Sequence, residues 1–203
     1  MAGRSSTELT YLALAREWGQ SIEFGNRHFA GHCLRVAQNA VATAQALGLD
    51  EQTQTVIRVG AYLHNVGRIR VPRDVQNKAT PLTREEFDLI EMVPIWGAEM
   101  LANVELPWDV RPIVRWHHEK YDGSGYPDRL RGDEIPISAQ IIGITNVYDA
   151  LTTSREHRDA LSPRQALAEL TNCRSWWSKK VFEAGVPVLG GASGAYAGSL
   201  RLA

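Results

Sequence analysis

The feature that most constrains the fold is a series of helix-start signals with no alternating apolar and polar stretch between them. Ser5 is followed three residues later by Glu8, and Thr83 is followed in the same way by Glu86. This spacing is typical of a capping box, in which the two side chains bond to the free amides of a first helical turn. Because apolar residues recur with helical rather than strand period after these signals, the sequence predicts an all-α protein.

The predicted helices cover most of the chain. By apolar period and break signals they run over residues 5–24, 26–47, 50–64, 83–94, 95–103, 107–118, 137–152 and from 162 onward. Residues 68–80 are predicted to be irregular. We expect residues 1–25 to form an N-terminal helix packed on a domain of residues 26–184. Residues 185–203 are rich in Gly and Ala and are predicted to be a flexible tail.

Charge and composition exclude several classes of partner. With 22 basic and 23 acidic side chains, the formal net charge is -1, so no overall field attracts a nucleic acid polymer or an anionic membrane. The sequence shows no signal peptide and no apolar run of roughly 18 residues that would span a membrane. Two distant cysteines, Cys33 and Cys173, are typical of reduced thiols. We therefore expect a cytoplasmic protein.

Five of the six histidines fall in three places. His28 and His32 are four residues apart on one predicted helix, His64 ends another, and the adjacent His117 and His118 end a third. Imidazoles from facing helices of a bundle can bind iron, manganese or zinc. An isolated buried histidine is more often a hydrogen-bonded core residue, so the spacing alone leaves both interpretations open.

The order of the motifs resembles the HD-GYP branch of the HD-domain phosphohydrolases, from about Phe29 to Leu170. The segments that carry this resemblance are Ala30–Ala37, Leu63–Pro72, Asn77–Lys78, Leu82–Glu86, Pro94–Glu99, His117–Pro127 and Asn146–Thr152. The segment from His117 to Pro127, which reads HHEKYDGSGYP, is the most specific of them. The resemblance implies an HD-domain helical bundle.

The family pattern also implies a chemistry. Its members hold two or three metal ions, usually iron or manganese, and hydrolyse cyclic di-GMP to pGpG or GMP. On this pattern the implied metal ligands are His32, His64, His117 and His118. Arg68 stands where the family usually has a lysine near the scissile phosphate.

Further positions match the ligand-binding part of the family pattern. Arg155 and Arg158 correspond to basic residues that hold the phosphates. Gly125, Tyr126 and Pro127 form the signature loop, which the family associates with the rim of the ligand site and with docking of diguanylate cyclases.

The departures from the family pattern all remove ligands. Asn65 replaces the aspartate that bridges two metals, Asn146 replaces a later aspartate ligand, and Val93 replaces a histidine. His28 stands where some members have a bridging glutamate; His28 and Asn146 are the further candidate ligands. Two divalent ions roughly 3.5–4 Å apart repel each other unless an anion bridges them. We therefore expect one iron or manganese ion rather than two, or none, with Asn65 as a degenerate catalytic position.

Three functions remain open from the sequence. The first is a degenerate phosphodiesterase that binds cyclic di-GMP, or a signalling partner through the Gly-Tyr-Pro loop, with weak or no turnover. The second is an active metal-dependent phosphodiesterase with a histidine-rich site. The third is a vestigial scaffold or protein-docking module. The lost carboxylates favour the first function.

Overall fold

The structure is a computed structural model that describes residues 5–24, 29–154 and 158–195, and within these ranges the chain is helical with no β-strand. The helices are α1 (Ser6–Glu23), α2 (His32–Ala46), α3 (Glu51–Leu63), α4 (Arg73–Gln76), α5 (Arg84–Glu91), α6 (Val93–Leu101), α7 (Arg111–Trp116), α8 (Ile137–Thr152), α9 (Pro163–Asn172) and α10 (Lys179–Ala195). The all-α prediction is confirmed. In the described part of the chain, no helix has the length and apolar character needed to cross a membrane.

The predicted caps form as expected. The Ser5 hydroxyl accepts from the Glu8 amide while the Glu8 carboxylate accepts from the Ser5 amide, and Thr83 and Glu86 repeat this arrangement at the start of α5. Asp50 caps α3 by accepting a hydrogen bond of 2.8 Å from the Thr53 amide. These bonds satisfy donors that a helix leaves free in its first turn, and they fix where α1, α3 and α5 begin.

Helix α3 is buried on two sides. Ile57 and Ala61 pack in a cluster shared with α2, α8, α9 and α10. Val59 and Leu63 pack in a second cluster shared with α1, α6 and α7. Full burial of an Ile or Leu side chain stabilises a fold by about 1.5–3 kcal/mol, so both clusters hold α3 in place. Its C-terminal end therefore delivers the next residue, His64, to a fixed point inside the bundle.

The start of α2 differs from the prediction. The helix begins at His32, whereas residues 29–31 form a turn in which Gly31 has φ +72°. This left-handed conformation ends the helical pattern on the N-terminal side, because it is incompatible with a right-handed helix. The prediction of helix over these residues was therefore wrong. Residue His28 lies outside the described ranges.

Two further segments are more helical than predicted. Residues 66–70 form a 3₁₀ turn and residues 73–76 form α4, in the stretch predicted to be irregular; single turns are too short to show a period. The tail prediction was wrong for residues 185–195, which belong to α10. Leu189 on this helix is fully buried, and its carbonyl accepts a 2.9 Å hydrogen bond from the Tyr148 hydroxyl. Tertiary packing here overrides the low helix propensity of glycine.

The helix before the histidine pair is shorter than predicted. It begins at Arg111 rather than at residue 107, and the Asp109 carboxylate accepts a 3.2 Å hydrogen bond from the Arg111 amide. The segment from Pro107 to Val110 is instead held by Trp108 and Val110, which are buried in the cluster under α1.

A glycine contact sets the position of the turn that follows His64. A Cβ on Gly67 would lie 2.1 Å from the Val93 carbonyl oxygen and 2.7 Å from the Gly97 amide nitrogen. No backbone atom tolerates such an approach, so the 3₁₀ turn packs on α6 only because residue 67 has no side chain.

We predict that Gly67→Ala lowers the free energy of unfolding by about 3 kcal/mol, because the new methyl group must push the turn away from α6. The matched control is Gly191→Ala on α10, where no atom lies within 4 Å of the added Cβ. Urea denaturation followed by circular dichroism measures both. Equal stabilities of the two variants would contradict the close packing of the turn.

Candidate functional site

The end of α3 places His64 and Asn65 at the centre of the bundle. His64 is fully buried, and its Nδ1 lies 2.7 Å from the Ala61 carbonyl oxygen. A carbonyl can only accept, so Nδ1 carries the proton and Nε2 presents a lone pair. This nitrogen accepts a 2.8 Å hydrogen bond from the Asn65 side-chain amide.

His32, the first residue of α2, faces the same point. Its Nε2 lies 3.1 Å from the Nε2 of His64, and its Nδ1 lies 2.6 Å from an oxygen of Asp149. Hydrogen bonds from His32 and Arg35 outweigh the effect of burial and lower the pKa of Asp149 below its usual value. The ionised carboxylate accepts, so His32 also carries its proton on Nδ1. Its Nε2 therefore directs a lone pair toward the Nε2 of His64, 3.1 Å away, which itself accepts from Asn65.

His117 and His118 enter from the end of α7. The His117 Nδ1 lies 3.0 Å from the Val114 carbonyl oxygen, which places its proton there, and its buried Nε2 has no hydrogen-bond partner among the described residues. The rings of His64 and His117 are 5.0 Å apart between centroids, and those of His117 and His118 are 4.1 Å apart. The structure thus brings all four predicted histidine ligands into one cluster.

The Gly-Tyr-Pro loop lies directly on the histidine pair. The Tyr126 ring stacks on the His118 ring with centroids 4.7 Å apart. A Cβ on Gly125 would lie 2.4 to 2.5 Å from backbone atoms of residues 118–120, so this position must be glycine. On its outer side the loop, including Pro127, borders a cavity of about 510 Å³ whose other wall contains Asp88 and Glu91. Docking of a diguanylate cyclase on this loop stays a prediction.

Sequence reasoning missed two buried carboxylates, although both lie inside motifs that the resemblance rests on. Asp149 is 3% exposed and bonds to His32 and Arg35. Glu119 is 4% exposed, and its two oxygens accept hydrogen bonds of 2.6 and 3.1 Å from the Asp128 and Leu130 amides. Burial raises the pKa of Glu119. The adjacency of Glu119 to the histidine pair was the signal that could have found it.

The predicted arginines have different surroundings. The Arg68 guanidinium lies over the Phe29 ring at 4.2 Å, beside the histidine cluster. Arg158 instead donates to the Ala150 and Leu151 carbonyl oxygens and so caps the C-terminus of α8. This contact gives Arg158 a structural role, and phosphate binding by this residue stays a prediction. Arg155 lies outside the described residues.

The three positions where the family pattern predicts a lost ligand carry neutral side chains, and each has different contacts. Asn65 is hydrogen-bonded to His64 as described above. Val93 is 2% exposed and packs with Val71 and Val75 in a small apolar cluster. Asn146 lies on α8 one turn before Asp149, and its role as a ligand stays a prediction.

Burial keeps His64, His117 and His118 uncharged. It lowers the pKa of His64 and His117 well below the usual value, and the nearby histidines lower both pKa values further. For His118, burial followed by the charges of Arg68 and Lys120 lowers the pKa to about 3. Neutral imidazole is the form that binds metals.

Two nitrogens of the cluster have a spacing compatible with ligands of a metal ion. Two ligand nitrogens about 2.1 Å from a tetrahedral ion lie about 3.4 Å apart, compared with 3.1 Å between the Nε2 atoms of His32 and His64. Both rings donate from Nδ1 to an acceptor, as metal-binding histidines do. Within residues 5–24, 29–154 and 158–195, no group of three or more His, Cys, Asp or Glu side chains is arranged to hold an ion. The pair His32–His64 is therefore the arrangement whose spacing would suit an ion.

Comparison with known proteins points to one family. Residues 19–178 match the sequence model described as HD domain. The 3'3'-cGAMP-specific phosphodiesterase 2 of Vibrio cholerae is 34% identical over 168 residues, which cover 82% of this chain and 31% of that protein. The cyclic di-GMP phosphodiesterase response regulator RpfG of Xanthomonas campestris is 35% identical over 153 residues, covering 74% and 40%. The chain thus spans well under half the length of these relatives.

A solved structure shares the fold. Bd1817, described as an HDG"Y"P protein from Bdellovibrio bacteriovorus, superposes with a TM-score of 0.69 at 20% identity, covering 91% of this chain and 65% of that one. This likeness shows the helical architecture alone.

We predict that the metal-free protein loses stability as the pH falls from 7 to 5. In this range the unfolded chain takes up protons on histidines that the folded chain keeps neutral, because their folded pKa values are lowered. The free energy of unfolding then falls by up to about 1.4 kcal/mol per pH unit for each of His64 and His117. Urea titrations with a chelator at each pH measure the slope. In the variant His117→Gln, the slope of the free energy of unfolding against pH should be smaller by the contribution of one proton. A flat profile for the wild type would contradict buried, neutral histidines.

Proposed function

The chain belongs to the HD-domain family, and we propose that it is a member that binds a cyclic dinucleotide, with cyclic di-GMP as the first candidate, and has weak or no phosphodiesterase activity. The relatives' names support the ligand class, since they are called cyclic di-GMP and 3'3'-cGAMP phosphodiesterases. The residues of the site support the loss of turnover.

The observation that carries this proposal is the hydrogen bond from the Asn65 amide to His64 Nε2, at 2.8 Å. A carboxylate at this position would place an oxygen lone pair against the nitrogen lone pair, and a cation between them would be required. The amide instead satisfies the nitrogen directly. Asn65 thus stabilises the cluster without an ion, in competition with metal binding.

The residues that remain can still hold a ligand. HD-domain phosphodiesterases generally depend on a divalent metal ion, and here His32 and His64 would hold one such ion, of iron or manganese by family analogy. A bound ion would supply positive charge and a more acidic water. With no bridging carboxylate among the cluster's residues, little fixes a second ion, and the stabilisation of a leaving oxygen is weakened.

An anionic ligand would be bound by a local group of basic side chains rather than by the overall charge of the protein. Arg68 and Arg73 line a cavity of about 190 Å³, together with Gln76 and Asn77. Guanidinium groups suit phosphates. Phe24, which is 86% exposed, borders the same cavity and offers an apolar face to a base. This combination of charge and apolar surface favours a nucleotide over inorganic phosphate.

We predict that calorimetry detects cyclic di-GMP binding to the wild-type chain, and that Arg68→Ala weakens it about 10- to 100-fold through the loss of charged hydrogen bonds. Arg84→Ala is the control, because Arg84 pairs with Asp88 on exposed α5. An absence of binding at about 100 μM nucleotide would leave the scaffold or protein-docking function.

We predict that the wild-type chain hydrolyses cyclic di-GMP slowly or not at all with added Mn²⁺ or Fe²⁺, and that restored ligands increase the rate. Asn65→Asp with Asn146→Asp changes the shape of the side chains little; adding Val93→His completes the family's ligand set. Turnover and metal content are measured for the double and the triple variant in parallel. Rapid wild-type turnover that the restored ligands do not increase, or two tightly bound ions in the wild type, would overturn the degenerate assignment in favour of the active one.

A further inference from the structure

The two carboxylate oxygens of Asp149 accept hydrogen bonds from three N–H groups. Its Oδ1 lies 2.5 Å from Arg35 Nε, and its Oδ2 lies 3.1 Å from Arg35 Nη2 and 2.6 Å from His32 Nδ1. The Asp149 side chain is 4% exposed, so no bulk water replaces these contacts. Every group that faces the carboxylate in these bonds is a donor.

We propose that Asp149 is a positioning residue that fixes the tautomer of His32, so that His32 Nε2 keeps a lone pair available to a cation. An imidazole has two neutral tautomers of similar energy, and the partner of one nitrogen decides which form is present. Here an acceptor at Nδ1 selects the form with the proton on Nδ1. The assignment concerns the ion-free protein, and only its consequence for ion binding rests on the function proposed above.

The other tautomer would close the site. With the proton on Nε2, His32 would donate to the Nε2 lone pair of His64 across the 3.1 Å that separates them. That hydrogen bond would leave His32 Nε2 with no lone pair for an ion. The carboxylate of Asp149 therefore keeps this lone pair available without itself contacting the ion.

Arg35 makes this effect testable. In Asp149→Asn the amide has one accepting oxygen and one donating nitrogen. Arg35 donates from two nitrogens, so it holds the oxygen on its own side and turns the amide nitrogen toward His32. His32 must then accept at Nδ1 and carry its proton on Nε2. Removal of Arg35 as well frees the amide to rotate and to accept from His32 again.

Nuclear magnetic resonance of the ion-free full chain, labelled with ¹⁵N in histidine, reports the tautomer directly. The His32 signals are assigned by their loss in His32→Gln. We expect the Nδ1-protonated form in the wild type, the Nε2-protonated form in Asp149→Asn, and a return to the Nδ1-protonated form in Asp149→Asn with Arg35→Ala. The control Asp109→Asn removes a carboxylate from a similar two-bond contact with Arg111 at the surface and should leave the His32 signals unchanged.

Calorimetry with Zn²⁺ at pH 7.5, with the same four proteins, measures the consequence. We expect Asp149→Asn to weaken binding 10- to 100-fold, the double variant to recover part of the loss, and Asp109→Asn to match the wild type. A merely structural role predicts no recovery when a second residue is removed.

The outcomes are distinct. An Nε2-protonated His32 in the wild type overturns the inference without use of any variant, including a variant that fails to fold. An unchanged tautomer in a folded Asp149→Asn, or a changed tautomer with unchanged Zn²⁺ affinity, also overturns it. If the wild type binds no Zn²⁺, the proposed ion site fails, while the tautomers of the ion-free proteins still decide the role of Asp149.

Discussion

The burial of α3 on two opposite sides is the constraint on which the rest of the structure depends. Ile57 and Ala61 face one apolar cluster, and Val59 and Leu63 face the other. A helix held in this way can neither rotate nor slide without loss of packing in both clusters. His64 follows directly at its C-terminus, so the position of this imidazole is set by apolar packing rather than by an ion. The helices packed around α3 then place their polar side chains around an imidazole whose position is already fixed.

The parts of the fold that follow from local chemistry could be predicted from the sequence. Reciprocal bonds such as those between Ser5 and Glu8 need only residues three apart, and α8 matched its predicted range because apolar residues recur along its whole length. The parts that failed depend on distant contacts. Leu189 belongs to the core because α8 and α9 pack against α10, and no local signal outweighs the glycines around it. The turn before α2 was missed because Gly31 adopts a left-handed conformation that an apolar pattern does not encode.

The same distinction holds for the candidate site. The four histidines could be singled out because their positions on the predicted helices follow from the local sequence pattern. The resemblance to the family then predicted that they act together as metal ligands. The position of the proton on His32, His64 and His117 was not predictable, since it is decided by three acceptors: Asp149, the Ala61 carbonyl and the Val114 carbonyl. The family pattern predicted lost carboxylates, but not the hydrogen bond from the Asn65 amide to His64. At this position a neutral amide makes the bond directly to the buried imidazole.

The apolar cluster around Val93 makes the three replaced positions unequal. Asn65 and Asn146 differ from aspartate by a single atom group, so a mutation back to aspartate changes charge and not shape. Val93 is 2% exposed among Val71 and Val75, and a returning imidazole would bury a polar ring where methyl groups now pack. A return to aspartate at position 65 or 146 therefore leaves the apolar packing unchanged, whereas a histidine at position 93 requires the core around it to rearrange. Regaining the family's full ligand set would first require the packing of Val71 and Val75 to loosen.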